Sequence, residues 1–309
     1  MTDDRDHVSW DLGQVAGVSD RGKRHSRNED AMDFAVAETD AGTVVVAIVC
    51  DGVSSAPRPN EASWMAVNAG ITLLAEGAER GDDVREVSVL AVKAAGQALN
   101  DLAGPEGAPA TTYVSAIVSQ RQITVCWLGD SRAYWLAASG PHPAGPNDTM
   151  DISGGSRRVT RDDSLAEEIV AAGLATMDEA MASPQAHVIT RWLGADLPDP
   201  ESHVEQFTPT GPGVLLLCSD GLWNYRPEAA ELAAMAMPAA LTRPGDAAAE
   251  LAKFALDSGG LDNITVVLVP FPPRPNSTEE PTAEMPATER PNTGLPSTEQ
   301  PTVEYRIAE

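Results

Sequence analysis

Three aspartates stand where a carboxylate is hardest to keep, at the edges of apolar, strand-like runs. Asp51 follows Val45-Val46-Ala47-Ile48-Val49-Cys50 and precedes Gly52. Asp220 follows Leu215-Leu216-Leu217-Cys218-Ser219 and precedes Gly221. Asp262 lies in Leu261-Asp262-Asn263, just before Ile264-Thr265-Val266-Val267-Leu268-Val269. A carboxylate at the mouth of a buried strand is costly unless something positive neutralises it. No lysine or arginine is adjacent in sequence to any of the three. A shared hard cation would serve them all. With no clustered histidine or cysteine, such oxygen donors select Mg²⁺ or Mn²⁺ over Zn²⁺. Several carboxylates on one divalent ion leave excess negative charge, which a second ion relieves. Asp51 is the natural bridging ligand, and Gly52, having no side chain, lets its carbonyl approach a metal. Two such ions can hold a hydroxide for in-line attack on phosphorus and neutralise the charge that develops.

The elements that must position these groups read as mixed α and β. Candidate strands are 43–50, 112–119, 123–128, 133–137, 214–218 and 264–269. The short Gln120-Arg121-Gln122 link predicts a hairpin. Trp64, Val67, Ile71 and Leu74 fall on one helical stripe, and Val84, Val87, Ala91, Ala94 and Ala98 on another. Asp246 is a plausible N-cap ahead of Ala247, Leu251 and Phe254. Two successive helices followed by runs of adjacent strands favour antiparallel sheets with helices outside them over alternating βαβ units. Residues 139–160, rich in Gly, Pro, Asp and Ser, read as a surface loop. Helical segments at 164–173 and 177–182 then form a flap beside the site.

The bulk numbers agree with one catalytic unit and narrow its partners. The chain has 309 residues, 21 basic against 46 acidic, for a net charge of −25. That surface repels phosphate backbones, so nucleic acid is not an expected partner. Cys50, Cys126 and Cys218 have apolar neighbours and no C-x-x-C spacing. They read as buried thiols of a reducing compartment. With no signal-like N-terminal segment and no apolar run of bilayer length, a soluble cytoplasmic protein is the expectation, with no membrane insertion and as a monomer. Residues 1–272 form the expected domain. Residues 273–309, with repeated Pro, Thr and Glu, cannot bury enough apolar surface and read as a disordered tail.

The order and text of the motifs resemble the metal-dependent Ser/Thr protein phosphatases of type 2C, the PPM superfamily, in their bacterial form. The resemblance covers roughly residues 13–270. It is carried by Ser19-Asp20-Arg21-Gly22, Arg27-Asn28-Glu29-Asp30-Ala31, Cys50-Asp51-Gly52, Ala110-Thr111-Thr112 and Gly129-Asp130-Ser131-Arg132-Ala133-Tyr134. It continues through Val159–Leu165, Val188–Gly194, Ser219-Asp220-Gly221-Leu222 and Asp262-Asn263-Ile264-Thr265. It implies an α+β fold, a central sandwich of two antiparallel sheets flanked by antiparallel helix pairs. It implies that Asp51 bridges two metals and Gly52 binds one through its carbonyl. Asp220 and Asp262 would hold the first metal. Glu29, with Asp30 beside it, would act on the second, partly through water, and Asp130 would help hold a looser third ion. Arg132 reads as a structural ion-pair partner, and Ser164 as a weak ligand at most. His187 reads as fixing the flap, and Trp192 and Trp223 as packing residues, with lining of a substrate surface as the alternative. The implied partners are phosphorylated proteins, a cognate Ser/Thr kinase among the candidates.

Three positions depart from the family pattern. The arginine that grips the substrate phosphate is replaced by His25, flanked by Arg24 and Arg27. A histidine there can donate to phosphate when protonated or act as a general acid. The glycine-rich segment after the metal-binding pair is replaced by Val53-Ser54-Ser55-Ala56-Pro57-Arg58-Pro59, where Arg58 is a substitute anion grip. Asp163 stands where many members have histidine, which is expected to add negative charge near the site. Two other readings remain. An aspartyl nucleophile at Asp51 would need a second acid two residues on, and Val53 stands there. A catalytically inactive phosphatase-like scaffold binding phosphoproteins is favoured only by the lost arginine, and the retained carboxylates argue against it.

Overall fold

Alternation along the inner strands builds four layers. The computed structural model describes residues 5–100, 102–105, 107–138, 155–194 and 201–274. In chain order these hold β1 (His7–Asp11), β2 (Ala16–Asp20), β3 (Asp30–Thr39), β4 (Gly42–Asp51), α1 (Pro59–Arg80), α2 (Val84–Asn100), β5 (Ala110–Thr111), β6 (Tyr113–Val118), β7 (Ile123–Leu128) and β8 (Arg132–Ala137). They continue with β9 (Arg157–Arg158), α3 (Leu165–Ala171), α4 (Met177–Met181), β10 (Leu193–Gly194), β11 (His203–Phe207), β12 (Gly213–Cys218), α5 (Asp220–Trp223), α6 (Ala229–Ala240), α7 (Pro244–Ser258) and β13 (Ile264–Phe271).

One antiparallel sheet runs β1-β2-β13-β12-β8-β9 and a second runs β11-β7-β6-β4-β3, with β10 and β5 as a small pair. On β4, Val45, Ala47 and Val49 face the second sheet's partner across the sandwich, where they meet Leu215, Leu217, Val267 and Val269. Their neighbours Val46, Ile48 and Cys50 face α1 and α2. On the other sheet Val214, Leu216, Cys218, Val266 and Leu268 pack under α6 and α7. Strands buried on both faces are therefore apolar at nearly every position, as observed for β12 and β13. The α+β sandwich flanked by helix pairs is the fold expected from the sequence.

Details differ in ways that follow from packing. Trp64 is 37% exposed, because α1 buries the stripe through Ala66, Val67, Gly70, Ile71 and Leu74 instead. On α2 the buried stripe is Val87, Ser88, Ala91, Val92, Ala95 and Leu99, which leaves Val84, Ala94 and Ala98 only half-buried. Helix α7 begins earlier than expected. Pro244 opens it, Arg243 is its N-cap, and Asp246 sits in the first turn paired with Arg243 at 2.6 Å. Strands β1, β2, β3 and β11 add to those expected. The hairpin joins β6 to β7, closed by Ser119 N–H donating to Gln122 O at 2.9 Å. Within the expected surface loop, β9 pairs with β8, and 139–154 lie outside the described residues. Apart from Pro273 and Arg274, so does the expected tail. The three cysteines are buried and free. Among the described residues no helix is long and apolar enough to cross a membrane.

Candidate active site

Four separate segments deliver carboxylates to one end of the sandwich. Asp51 ends β4 and is clamped by main-chain bonds: its N–H donates to Thr112 Oγ1 at 2.9 Å, and its carbonyl accepts from Thr112 N–H and Thr111 Oγ1, both at 2.8 Å. Thr112 Oγ1 also bonds Ser131 Oγ at 2.7 Å, which ties the Asp130 turn to the same strand end. Asp220 opens the short α5 directly after β12. A Cβ on Gly221 would sit 1.9 Å from Asn263 O, so only glycine lets Asp220 and Asp262 come this close along their backbones. Gly52 is equally confined, with Pro59 O at 2.3 Å and Glu29 O at 2.7 Å from a notional Cβ.

Asn263 holds the first motif to β13. Its Oδ1 accepts from Glu29 N–H at 2.8 Å, while its Nδ2 donates to Arg21 O at 2.7 Å and Arg27 O at 3.1 Å. The sequence showed Asn263 as part of a motif, but its role as a staple depends on residues more than 200 positions away. The result is a cavity of about 530 Å³ lined by Asp51, Gly52, Asp130, Asp220 and Asp262 together.

The electrostatics of this cavity are those of anions lacking a counter-charge. Burial pushes the Asp51 carboxyl well above its usual range, and the charges of Asp30, Asp220, Asp130 and Asp262 push it further. Asp220 is raised by burial, then by Asp130 and Asp262. Asp130 is pushed up to about 7 by burial and by Asp162, with Arg132 opposing. Oδ2 of Asp220 accepts from Asn224 Nδ2 at 3.0 Å, but its Oδ1 is buried without a partner. All-oxygen donors, an orphaned buried carboxylate oxygen and mutual repulsion are the features a hard divalent cation relieves. The residues present fit Mg²⁺ or Mn²⁺. Among the described residues no three His, Cys, Asp or Glu side chains are grouped tightly enough to hold an ion as they stand.

The other expected site residues divide. Glu29 and Asp30 do not line the cavity. Asp30 is the cross-strand partner of Asp51. Its Oδ2 accepts from Ser219 Oγ and Thr265 Oγ1, both at 2.7 Å, and burial raises its carboxyl to about 6. Glu29 Oε2 accepts from Ser54 Oγ at 2.5 Å and lies 3.8 Å from His25 Nδ1. His25 Nε2 is 3.1 Å from Asp262 Oδ1, so this imidazole spans two acidic positions of the site. Arg24 and Arg27 are exposed on the same turn outside the cavity, Arg27 reaching Asn60 Oδ1 at 3.4 Å.

Arg58 is not an anion grip at this site. It lies in a neighbouring cavity with Pro57, Leu102 and Pro105, its guanidinium 3.6 Å from Glu61. Asp163 also departs from expectation. Its buried carboxylate accepts from Gly129 N–H at 3.0 Å and meets His203 Nε2 at 2.9 Å, with Arg191 at 3.6 Å. Its charge is used to tie the flap to the Asp130 turn and does not face the cavity. Arg132 forks onto Asp162, its closest contact 2.6 Å, and stacks 3.6 Å over Trp223. Trp223 Nε1 donates to Asp130 O at 3.0 Å, and His187 packs against the Trp223 ring. Ser164 is the N-cap of α3. His187, Val188, Ile189 and Trp192 line the cavity from the flap, which puts Trp192 at the substrate-lining alternative to a packing role.

Residues 20–254 match the sequence profile of the family described as Protein phosphatase 2C. The chain belongs to this family of metal-dependent serine/threonine phosphatases. It is 31% identical over 262 residues to the serine/threonine phosphatase stp of Listeria welshimeri, covering 81% of this chain and 93% of that protein. A shorter match at 36% identity to the stp phosphatase of Listeria innocua covers 52% of this chain and 56% of that one. The catalytic domain of the phosphatase PstP, solved in complex with 2 manganese ions, shares the fold with a TM-score of 0.62 at 24% identity, over 82% of this chain and 96% of that domain.

Proposed function

We propose that this protein hydrolyses phosphoserine and phosphothreonine in phosphorylated proteins, using divalent cations held by Asp51, Gly52, Asp130, Asp220 and Asp262. The single observation carrying this reading is that these five positions, from four distant segments, line one cavity in which a buried Asp220 oxygen has no partner. Such ions would activate water as the nucleophile and neutralise charge developing on phosphorus. Asp51 would be the ligand common to both ions, and Asp220 and Asp262 would hold one of them. Glu29 and Asp30 support this arrangement from behind, Asp30 through its contact with the Asp51 strand. His25 orients the Asp262 carboxylate, and Arg24 and Arg27 beside it present a cationic rim to the substrate phosphate.

The test is hydrolysis of a phosphopeptide with Mn²⁺ titration, comparing wild type with Asp220→Asn. Metal-dependent turnover lost in the variant supports the reading. The inactive-scaffold alternative, motivated by His25 in place of arginine, instead requires that both proteins bind the phosphopeptide equally and that neither turns it over.

A further inference from the structure

The cavity that gathers the carboxylates has a second chemistry. The apolar part of its wall includes Ala56, Ala108 and Ala110, and Val188, Ile189 and Trp192 from the flap, beside the hydroxyls of Ser54, Ser55 and Thr112. No lysine or arginine is among the residues lining it. A volume of about 530 Å³ exceeds what a phosphate group fills and falls within the range that accepts a ligand of many atoms. Val188, Ile189 and Trp192 lie outside the flap's own small core. That core is Ala166, Ala180 and Ala186, with Ile169 and Val170 against it. The backbone at 188–190 is fixed independently: Leu165 N–H donates to Val188 O and Thr190 N–H to Asp163 O, and Ile189 bridges to Ser164. Val188 is left 54% exposed. A single exposed valine needs no explanation, but three apolar side chains on a rigid segment sharing a cavity with four aspartates do.

We propose that this wall selects phosphoprotein segments with an apolar side chain beside the phosphorylated residue. The inference rests on the phosphatase reading and deepens it. An apolar side chain loses water against Val188, Ile189 and Trp192 and gains binding from doing so.

The experiment compares two phosphopeptides differing only in having leucine or glycine on both sides of phosphothreonine, with Mn²⁺ present. Wild type is expected to favour the leucine peptide by about tenfold in kcat/KM. In Val188→Ser and in Trp192→Ala that ratio is expected to fall toward unity, while Trp192→Phe keeps it. Because the ratio is taken within each variant, loss of active protein cancels. A wild-type ratio near unity, or an unchanged ratio in both Val188→Ser and Trp192→Ala, overturns the inference while leaving the phosphatase reading standing. Absence of turnover on both peptides overturns the phosphatase reading, and this inference with it.

Discussion

Each buried carboxylate at the site keeps its proton longer than a free one, and that has a measurable consequence. Asp30 is raised to about 6 and Asp130 to about 7 from an ordinary value of 3.8, in both cases chiefly by burial. An acid raised in the folded state still holds its proton where the unfolded chain has released it. Its contribution to stability is therefore fully present below about pH 4 and is lost as the pH rises through about 6 and about 7. A bound divalent cation favours the ionised form and reverses this. The melting temperature gained on adding Mn²⁺ to the EDTA-treated protein is thus expected to grow between about pH 5 and about pH 8. A gain on the order of 5 °C fits a difference of a few kcal/mol in a domain of this size. A metal-induced gain that is flat with pH would mean the Asp130 carboxylate does not face the ion. At the same scale, Asp51→Asn is expected to abolish hydrolysis with the far-UV circular dichroism unchanged. Asp51 retains its main-chain bonds to Thr111 and Thr112 without its charge.

Between elements, the site depends on one amide. Asn263 accepts from Glu29 and donates to the carbonyls of Arg21 and Arg27, so it pins the turn before β3 against the start of β13. Asn263→Ala leaves a donor and two acceptors to find water or go unpaired, at a cost of about 2–4 kcal/mol. Thermal melts should show a loss of roughly 5–10 °C. KM for phosphopeptide should rise as His25 loses its contact with Asp262, and an unchanged KM would detach that turn from substrate binding. None of this was legible in the sequence, because hydrogen bonds between segments so far apart leave no local pattern. The strands divide on similar grounds. Inner strands such as β4, β6, β12 and β13 are apolar on both faces and stood out as runs. The edge strands β1, β3 and β11 carry polar residues, with His203–Phe207 half-buried throughout, and did not. Asp51, Asp220 and Asp262 were legible because charge beside an apolar run is anomalous by itself. The role of Asp163 was not, since its partner His203 lies 40 residues away.

Across the whole molecule, charge and substrate are at odds. The chain carries −25 and the proposed substrate is a dianionic phosphate on a peptide. At about 0.01 M salt the screening length is about 30 Å, so the approaching peptide feels much of that charge; at about 0.15 M it is about 8 Å. Long-range repulsion slows encounter, and salt removes it. The value of kcat/KM for a phosphopeptide with glutamate in its distal positions should therefore rise severalfold over that range of NaCl, at fixed Mn²⁺. The opposing influence is local. Arg21, Lys23, Arg24 and Arg27 place four cations within seven residues on the turn beside Asp262. If that turn dominated steering, the same titration would show kcat/KM falling, and Arg24→Gln would flatten the fall. A rise that persists in Arg24→Gln assigns encounter to the field of the whole protein and leaves the turn a short-range role at the phosphate.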